Sequence, residues 1–72
     1  MTNTLTFTTT MDTDTLNPIE YAVEGTLWID GEETPIGFSS ADFDRVFDEL
    51  RHWTKTIESV DVTFKTKEYI HA

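Results

Sequence analysis

The chain has 72 residues, a mass of 8.3 kDa, no cysteine, and fourteen Asp plus Glu against five Lys plus Arg. This length predicts a single domain over residues 1–72 with no room for a second catalytic lobe, and the missing cysteines exclude disulfides, thiolate metal sites and a cysteine nucleophile. The longest apolar runs are too short for a membrane span or a signal-peptide core, so a cytoplasmic protein is expected.

The N-terminal segment has the pattern of a strand followed by a loop. Over residues 2–10, Leu5 and Phe7 alternate with threonines, whose branched side chains favour a pleated, half-exposed strand. Residues 11–18 then collect Asp, Thr, Asn and Pro, which are typical of turns. A strand and a loop with these bounds are therefore expected.

A β-hairpin is predicted next, because alternation resumes at Ile19 and Asp30-Gly31 is a preferred pair for a type I′ turn. Gly25 is a candidate β-bulge, and Pro35, which cannot donate to a ladder, puts the third strand at a sheet edge. A two-residue turn sets a register that brings the apolar residues together: Ile29 with Glu32, Leu27 with Thr34, Gly25 with Ile36, and Val23 with Phe38.

An amphipathic helix follows the hairpin. Ser39 or Ser40 is expected to cap it, with Asp42 and Asp44 in its first turn, where the helix dipole favours anions. The helix is predicted to run to about Lys55 along an apolar stripe of Phe43, Val46, Phe47, Leu50 and Trp53.

Alternating residues over 58–69 predict a fourth strand after the helix. A right-handed crossover makes this strand parallel to its neighbour, and the first strand is the expected neighbour because Pro35 makes the outer side of the third strand a poor partner. The order β-β-β-α-β predicts an α+β fold: a small antiparallel or mixed sheet of about four strands with one helix packed on one face.

The net negative charge of the chain comes entirely from its first 44 residues. Residues 1–44 contain nine acids and no base, whereas residues 45–72 contain five of each. A surface of one sign repels nucleic acid and anionic membranes, and it attracts basic surfaces within a Debye length of about 8 Å. We therefore expect no direct binding to nucleic acid and no binding to membranes.

The side chains that carry out catalysis or bind metals form no convincing pattern. Asp44, Asp48 and His52 share one side of the helix, but a solvated helix face explains them better than a metal site. The segment 12–23 begins like a calcium loop and fails at its fifth, sixth and twelfth positions. Singly scattered glycines give no phosphate-binding loop. We expect no enzyme activity, no cofactor and no metal site.

An acidic surface is the candidate binding site. Glu20, Glu24 and Trp28 are expected on the outward face of the second strand, with Glu33 opposite Trp28. Same-face residues of a strand lie about 6.6 to 6.8 Å apart, a small multiple of the phosphate spacing of about 3.4 Å in one DNA strand. Alternatively, Trp28 is buried under the N-terminal loop and the acids serve solubility. The full candidate set is Glu20, Glu24, Trp28, Asp30, Glu32, Glu33, Asp42 and Asp44.

In its size, its acidity and its lack of a catalytic motif, the chain resembles the small inhibitors that bacteriophages and mobile elements carry against host defence. These include anti-CRISPR and anti-restriction DNA mimics. The resemblance is compositional and carries over no family residue, since these inhibitors share no sequence motif. It implies a stoichiometric inhibitor, in the host cytoplasm, of a basic nucleic-acid-binding protein or effector complex, whose DNA-, PAM- or RNA-binding groove it occupies.

Two other functions are open at this point. The first is a homo-oligomeric interaction or assembly module, in which exposed strand edges pair two copies or recruit a protein subunit and the acidity serves only solubility. Lys65, Lys67 and Tyr69 share one face of the last strand and offer another way to meet a second copy, through its acidic face. The second is a small regulatory enzyme subunit. A homodimer that hides the second and third strands would favour the assembly module.

Overall fold

The computed structural model describes residues 2–70 and confirms the α+β fold. The elements are β1 (Asn3–Asp12), β2 (Pro18–Ile29), β3 (Glu32–Ser40), α1 (Phe43–Thr56) and β4 (Val60–Tyr69). The strands form one mixed sheet in the order β3-β2-β1-β4. β2 is antiparallel to both β1 and β3, and β4 is parallel to β1, so the predicted neighbour of the last strand is confirmed.

The β2–β3 hairpin has the predicted turn and register. Asp30 and Gly31 have positive φ angles of 52° and 81°, as a type I′ turn requires. Beside the turn, Ile29 pairs with Glu32, and the ladder continues without a shift. Pro35 lies in the edge strand β3, where a missing N–H group is tolerated.

The connection between β1 and β2 is shorter than predicted. β1 continues through Asp12 and β2 starts at Pro18, so the turn is confined to residues 13–17 instead of 11–18. Asp12 closes this turn, because its backbone N–H donates to the Asn17 carbonyl at 2.9 Å and its Oδ1 accepts two backbone N–H groups. Asp side chains that bond to the backbone N–H groups following them are typical of tight turns.

Gly25 allows two strands to approach closely, and the prediction of a bulge at this position is wrong. The ladder passes through Gly25 opposite Leu5 without interruption, and the register shifts instead between Thr10 and Met11. Gly25 has a φ of 156°, and a Cβ atom there would overlap the carbonyl oxygen of Thr4. The glycine is therefore needed for the contact between the β1 and β2 backbones.

The helix begins later than the serine pattern predicts. Ser40 still pairs with Tyr21 in the sheet, so the chain leaves the ladder only after this residue. Asp42 is the N-cap residue: its Oδ1 accepts from the Asp44 N–H at 3.0 Å, and its own N–H donates to Ser40 Oγ at 3.1 Å. The prediction of a Ser39 or Ser40 cap is wrong, and Asp44 is the acid of the first turn.

The core lies between α1 and one face of the sheet. α1 packs over β2 and β3, whereas the helix side of β4 is largely uncovered. The opposite face has no layer over it within residues 2–70, and we call it the open face. The core consists of six buried side chains from the sheet and the helix: Leu5, Phe7, Val23, Leu27, Val46 and Leu50.

Candidate functional site

The open face consists of the side chains that alternate with the core residues along each strand. Its centre is a line of threonines on β1, flanked by acidic residues of β2 and basic residues of β4. Residues paired across the sheet form rows, which from β3 to β4 are Pro35–Thr26–Thr4–Asp61, Gly37–Glu24–Thr6–Thr63 and Ser39–Ala22–Thr8–Lys65. A fourth row, Glu20–Thr10–Lys67, has no residue from β3 because that strand has already ended.

Four of the eight predicted binding residues share the open face. Glu20, Glu24 and Trp28 follow one another at intervals of four residues on β2, and Glu33 lies opposite Trp28 on β3. At a rise of about 3.3 Å per residue, the Cα atoms of Glu20 and Glu24 are about 13 Å apart. All three carboxylates are exposed, so this part of the predicted site is accessible.

Trp28 is half-buried on the open face. Its backbone N–H donates to Asn3 Oδ1 at 2.7 Å, which fastens the end of β2 to the start of β1. The turn formed by residues 13–17 lies at the other end of β2, so this turn does not cover the indole. Part of the ring remains available for contact with a partner.

The other four predicted residues are exposed but lie outside this face. Asp30 is in the hairpin turn, and Glu32 is on the helix side of β3, opposite Ile29. Asp42 caps α1 and Asp44 is in its first turn, at the end of β3 that is remote from the hairpin turn. The eight residues therefore lie in three places: on the open face, at the hairpin turn with the first residue of β3, and at the start of α1.

Lys65 and Lys67 lie near the acidic residues of β2, and the charge count along the chain did not reveal this proximity. Both lie on the open face, and Lys67 is two strands away from Glu20, a Cα separation of about 9 to 10 Å at the usual strand spacing. The alternation along β4 was the signal for this position, because it puts Val62 and Phe64 on the helix side and the two lysines on the open face. The open face is thus acidic on β2 and β3 and basic on part of β4.

A shallow depression of about 700 Å³ lies between these opposite charges and is open to solvent. No polar or charged side chain within residues 2–70 is buried, so the depression has none of the desolvated acid–base groups typical of catalytic pockets. Its polar lining includes Thr8, Thr10, Glu20, Glu24, Lys65 and Lys67.

Two kinds of site are not found among the described residues. No group of three or more His, Cys, Asp or Glu side chains in residues 2–70 could hold a metal ion. Two of the side chains considered for a metal patch on α1 have other neighbours: Asp48 Oδ1 lies 3.7 Å from Arg51 Nη1, and the ring centroid of His52 lies 4.9 Å from that of Trp53, edge to face. No helix in the same range is long and apolar enough to span a bilayer.

Comparisons with known proteins identify no relative. No protein-family model matches the sequence, and neither a curated protein nor a solved structure shows significant similarity to the chain.

Proposed function

We propose that the chain is a non-enzymatic inhibitor that binds a basic nucleic-acid-binding protein or effector complex through its β2–β3 hairpin and blocks the nucleic-acid groove. The observation that carries this proposal is the charge of the hairpin. Residues 18–40, which we call the acidic hairpin, contain five acids and no base, and all five acids are exposed. A basic groove is the surface that such a hairpin complements.

The carboxylates of the acidic hairpin have no ion-pair partner within residues 2–70, where the one ion pair joins Arg51 to Asp48. Lys65 and Lys67 share the open face, but β1 separates them from β2. A partner that brings Lys and Arg side chains to the hairpin therefore meets unneutralised charge. Such charge speeds association and makes it sensitive to salt.

The acidic hairpin also has a suitable shape. Three of its acids, Asp30, Glu32 and Glu33, lie within four consecutive residues at the turn, so the charge is concentrated at the narrow end. Trp28 lies directly behind this end, half-buried and opposite Glu33. Aromatic side chains at the centre of an interface commonly supply much of the binding energy, and the surrounding carboxylates would form its polar rim.

The test begins with capture of partners from the host by the immobilised full chain at low and at raised salt. For a captured nucleic-acid-binding protein, fluorescence anisotropy of a labelled duplex then measures whether the chain displaces the nucleic acid. We expect displacement at a ratio near one to one, with affinity that falls as salt rises. Changing Glu20, Glu24 and Glu33 together to Gln is expected to weaken inhibition about tenfold or more.

A matched triple variant controls for the loss of charge alone. Asp48→Asn, Glu58→Gln and Glu68→Gln remove the same number of charges from exposed positions outside the acidic hairpin. This variant is expected to inhibit nearly as well as the unmodified chain. A duplex that stays bound, or equal loss of inhibition in the two triple variants, would reject the proposal in favour of acidity that serves solubility.

A further inference from the structure

β4 is a long edge strand of the sheet. It runs for ten residues, Val60–Tyr69, at one end of the strand order, and its ladder with β1 has no register shift. No strand within residues 2–70 pairs with its outer side, and no proline interrupts it. A long and regular edge strand is a template for pairing with another chain, and natural proteins usually protect such edges.

An exposed aromatic side chain lies beside this edge. Phe64 is 67% exposed on the helix side of β4, because α1 packs over β2 and β3. On its inner side, its ring centroid is 5.8 Å from that of the buried Phe7. Most of the Phe64 ring is therefore available to a partner that joins the sheet at β4.

The charges of β4 make its edge complementary to itself. Two copies joined antiparallel at this edge are related by a twofold axis perpendicular to the sheet, so residues of one face meet residues of the same face. When Phe64 lies opposite Phe64 of the second copy, Asp61 lies opposite Lys67, and Lys67 opposite Asp61. The remaining lysine, Lys65, then lies opposite Thr63.

Neighbouring registers are less favourable. A shift in one direction places Lys65 opposite Lys65 of the second copy, and like charges directly opposite each other repel. A shift in the other direction keeps two opposite-charge pairs, because Asp61 then lies opposite Lys65. However, it shortens the paired segment to residues 60–66, moves the two Phe64 rings apart, and places Lys67 opposite Ser59, outside the strand. The register centred on Phe64 is the one that combines the longer ladder, two pairs of opposite charges and the two Phe64 rings side by side.

We propose that two copies of the chain form a dimer by pairing their β4 strands antiparallel, with Phe64 on Phe64 and Asp61 on Lys67. The two sheets become one sheet of eight strands in the order β3-β2-β1-β4-β4-β1-β2-β3, with both helices on the same side. The acidic hairpins lie at its outer edges and stay free. The dimer therefore does not depend on the proposed function, and it differs from an assembly that hides β2 and β3.

Sedimentation equilibrium of the full chain tests the dimer, and we expect a reversible species of twice the 8.3 kDa chain mass. Asp61→Lys and Lys67→Asp each place like charges opposite each other at two symmetry-related positions. Each is expected to raise the dimer dissociation constant about tenfold or more. The double variant exchanges the two charges, and it is expected to restore the constant to within about threefold of the unmodified value.

Within one subunit, Asp61 and Lys67 lie opposite Thr4 and Thr10, so the reversals place no like charges opposite each other in the monomer, and circular dichroism checks that the fold is kept. Arg45→Asp makes the same charge change as Lys67→Asp on exposed α1, and it is expected to leave the dissociation constant unchanged. A chain that stays monomeric, single reversals without effect, or a double variant that fails to recover would each overturn the inference.

Discussion

The two edges of the sheet are built differently. β3 contains Pro35, bears the acids Glu32 and Glu33, and is in contact with α1. β4 has no proline, its charged residues are two acids and two lysines, of which one of each sign is placed to pair with the opposite charge of a second copy, and its helix side is uncovered at Phe64. Proline, charge and a covering layer are the usual means of preventing strand pairing at an edge. In the two proposals made above, the β3 edge meets a partner through charge, whereas the β4 edge pairs with a second copy through its backbone.

The same contrast extends to stability. Under α1, Leu27 is fully buried, whereas Phe64 is mostly in contact with water although it lies on the same side of the sheet. Most of the hydrophobic stabilisation should therefore come from the half of the sheet that contains β2. The first of three sets of substitutions tests how sharply the two halves differ, and the other two test the close approach of β1 and β2 and the start of α1.

Leu27→Ala is expected to have the largest effect, a loss of about 3 kcal/mol in the free energy of unfolding, because it leaves a cavity under α1. Phe64→Ala, at a concentration that keeps the chain monomeric, is expected to cost about 1 kcal/mol or less, since most of the ring is already hydrated. Urea unfolding followed by circular dichroism measures both values. Equal losses would contradict the contrast between the two halves.

Gly25→Ala is expected to cost about 2 kcal/mol or more, because its Cβ atom would push against the Thr4 carbonyl between two central strands. Gly37→Ala is the matched control in the edge strand β3, where an added Cβ atom meets nothing within 4 Å. That change is expected to alter stability by less than about 1 kcal/mol. If thermal unfolding gives similar values for the two variants, the close approach of β1 and β2 is not what requires Gly25.

The smallest of the three effects concerns the start of α1. Asp42→Ala removes the acceptor for the Asp44 N–H and is expected to cost about 1 kcal/mol. Ser39→Ala is expected to change stability by less than about 0.5 kcal/mol, because Ser39 is exposed and is not the cap. Guanidinium unfolding of both variants distinguishes the caps, and a larger loss for Ser39→Ala would restore the serine prediction.

The strand pairing was predictable because its signals are local. Asp30-Gly31 specifies one turn type, and the turn together with alternation fixes the β2–β3 register. Pro35 marks an edge, which leaves β1 as the partner for the last strand. The same alternation correctly put Glu20 and Glu24 on one face of β2.

The remaining features depend on contacts between distant segments. Nothing near Gly25 in the sequence reveals that the Thr4 carbonyl lies against it, so a glycine in a strand was interpreted as a bulge. Ser40 is a good cap by residue type, but its pairing with Tyr21 delays the helix. The uncovered position of Phe64 follows from how α1 sits across the sheet, which an amphipathic stripe does not specify.

β1 comes first in the chain and is completed last in the sheet. Its pairs with β4, from Asn3–Val60 to Asp12–Tyr69, join residues 57 positions apart. Ordering so long a connection costs entropy before the contacts form, and such non-local pairing slows folding. During synthesis, the strand that carries the buried Leu5 and Phe7 therefore has one bare edge until residue 69 has been made, and the newly made chain is most open to misassembly in that interval.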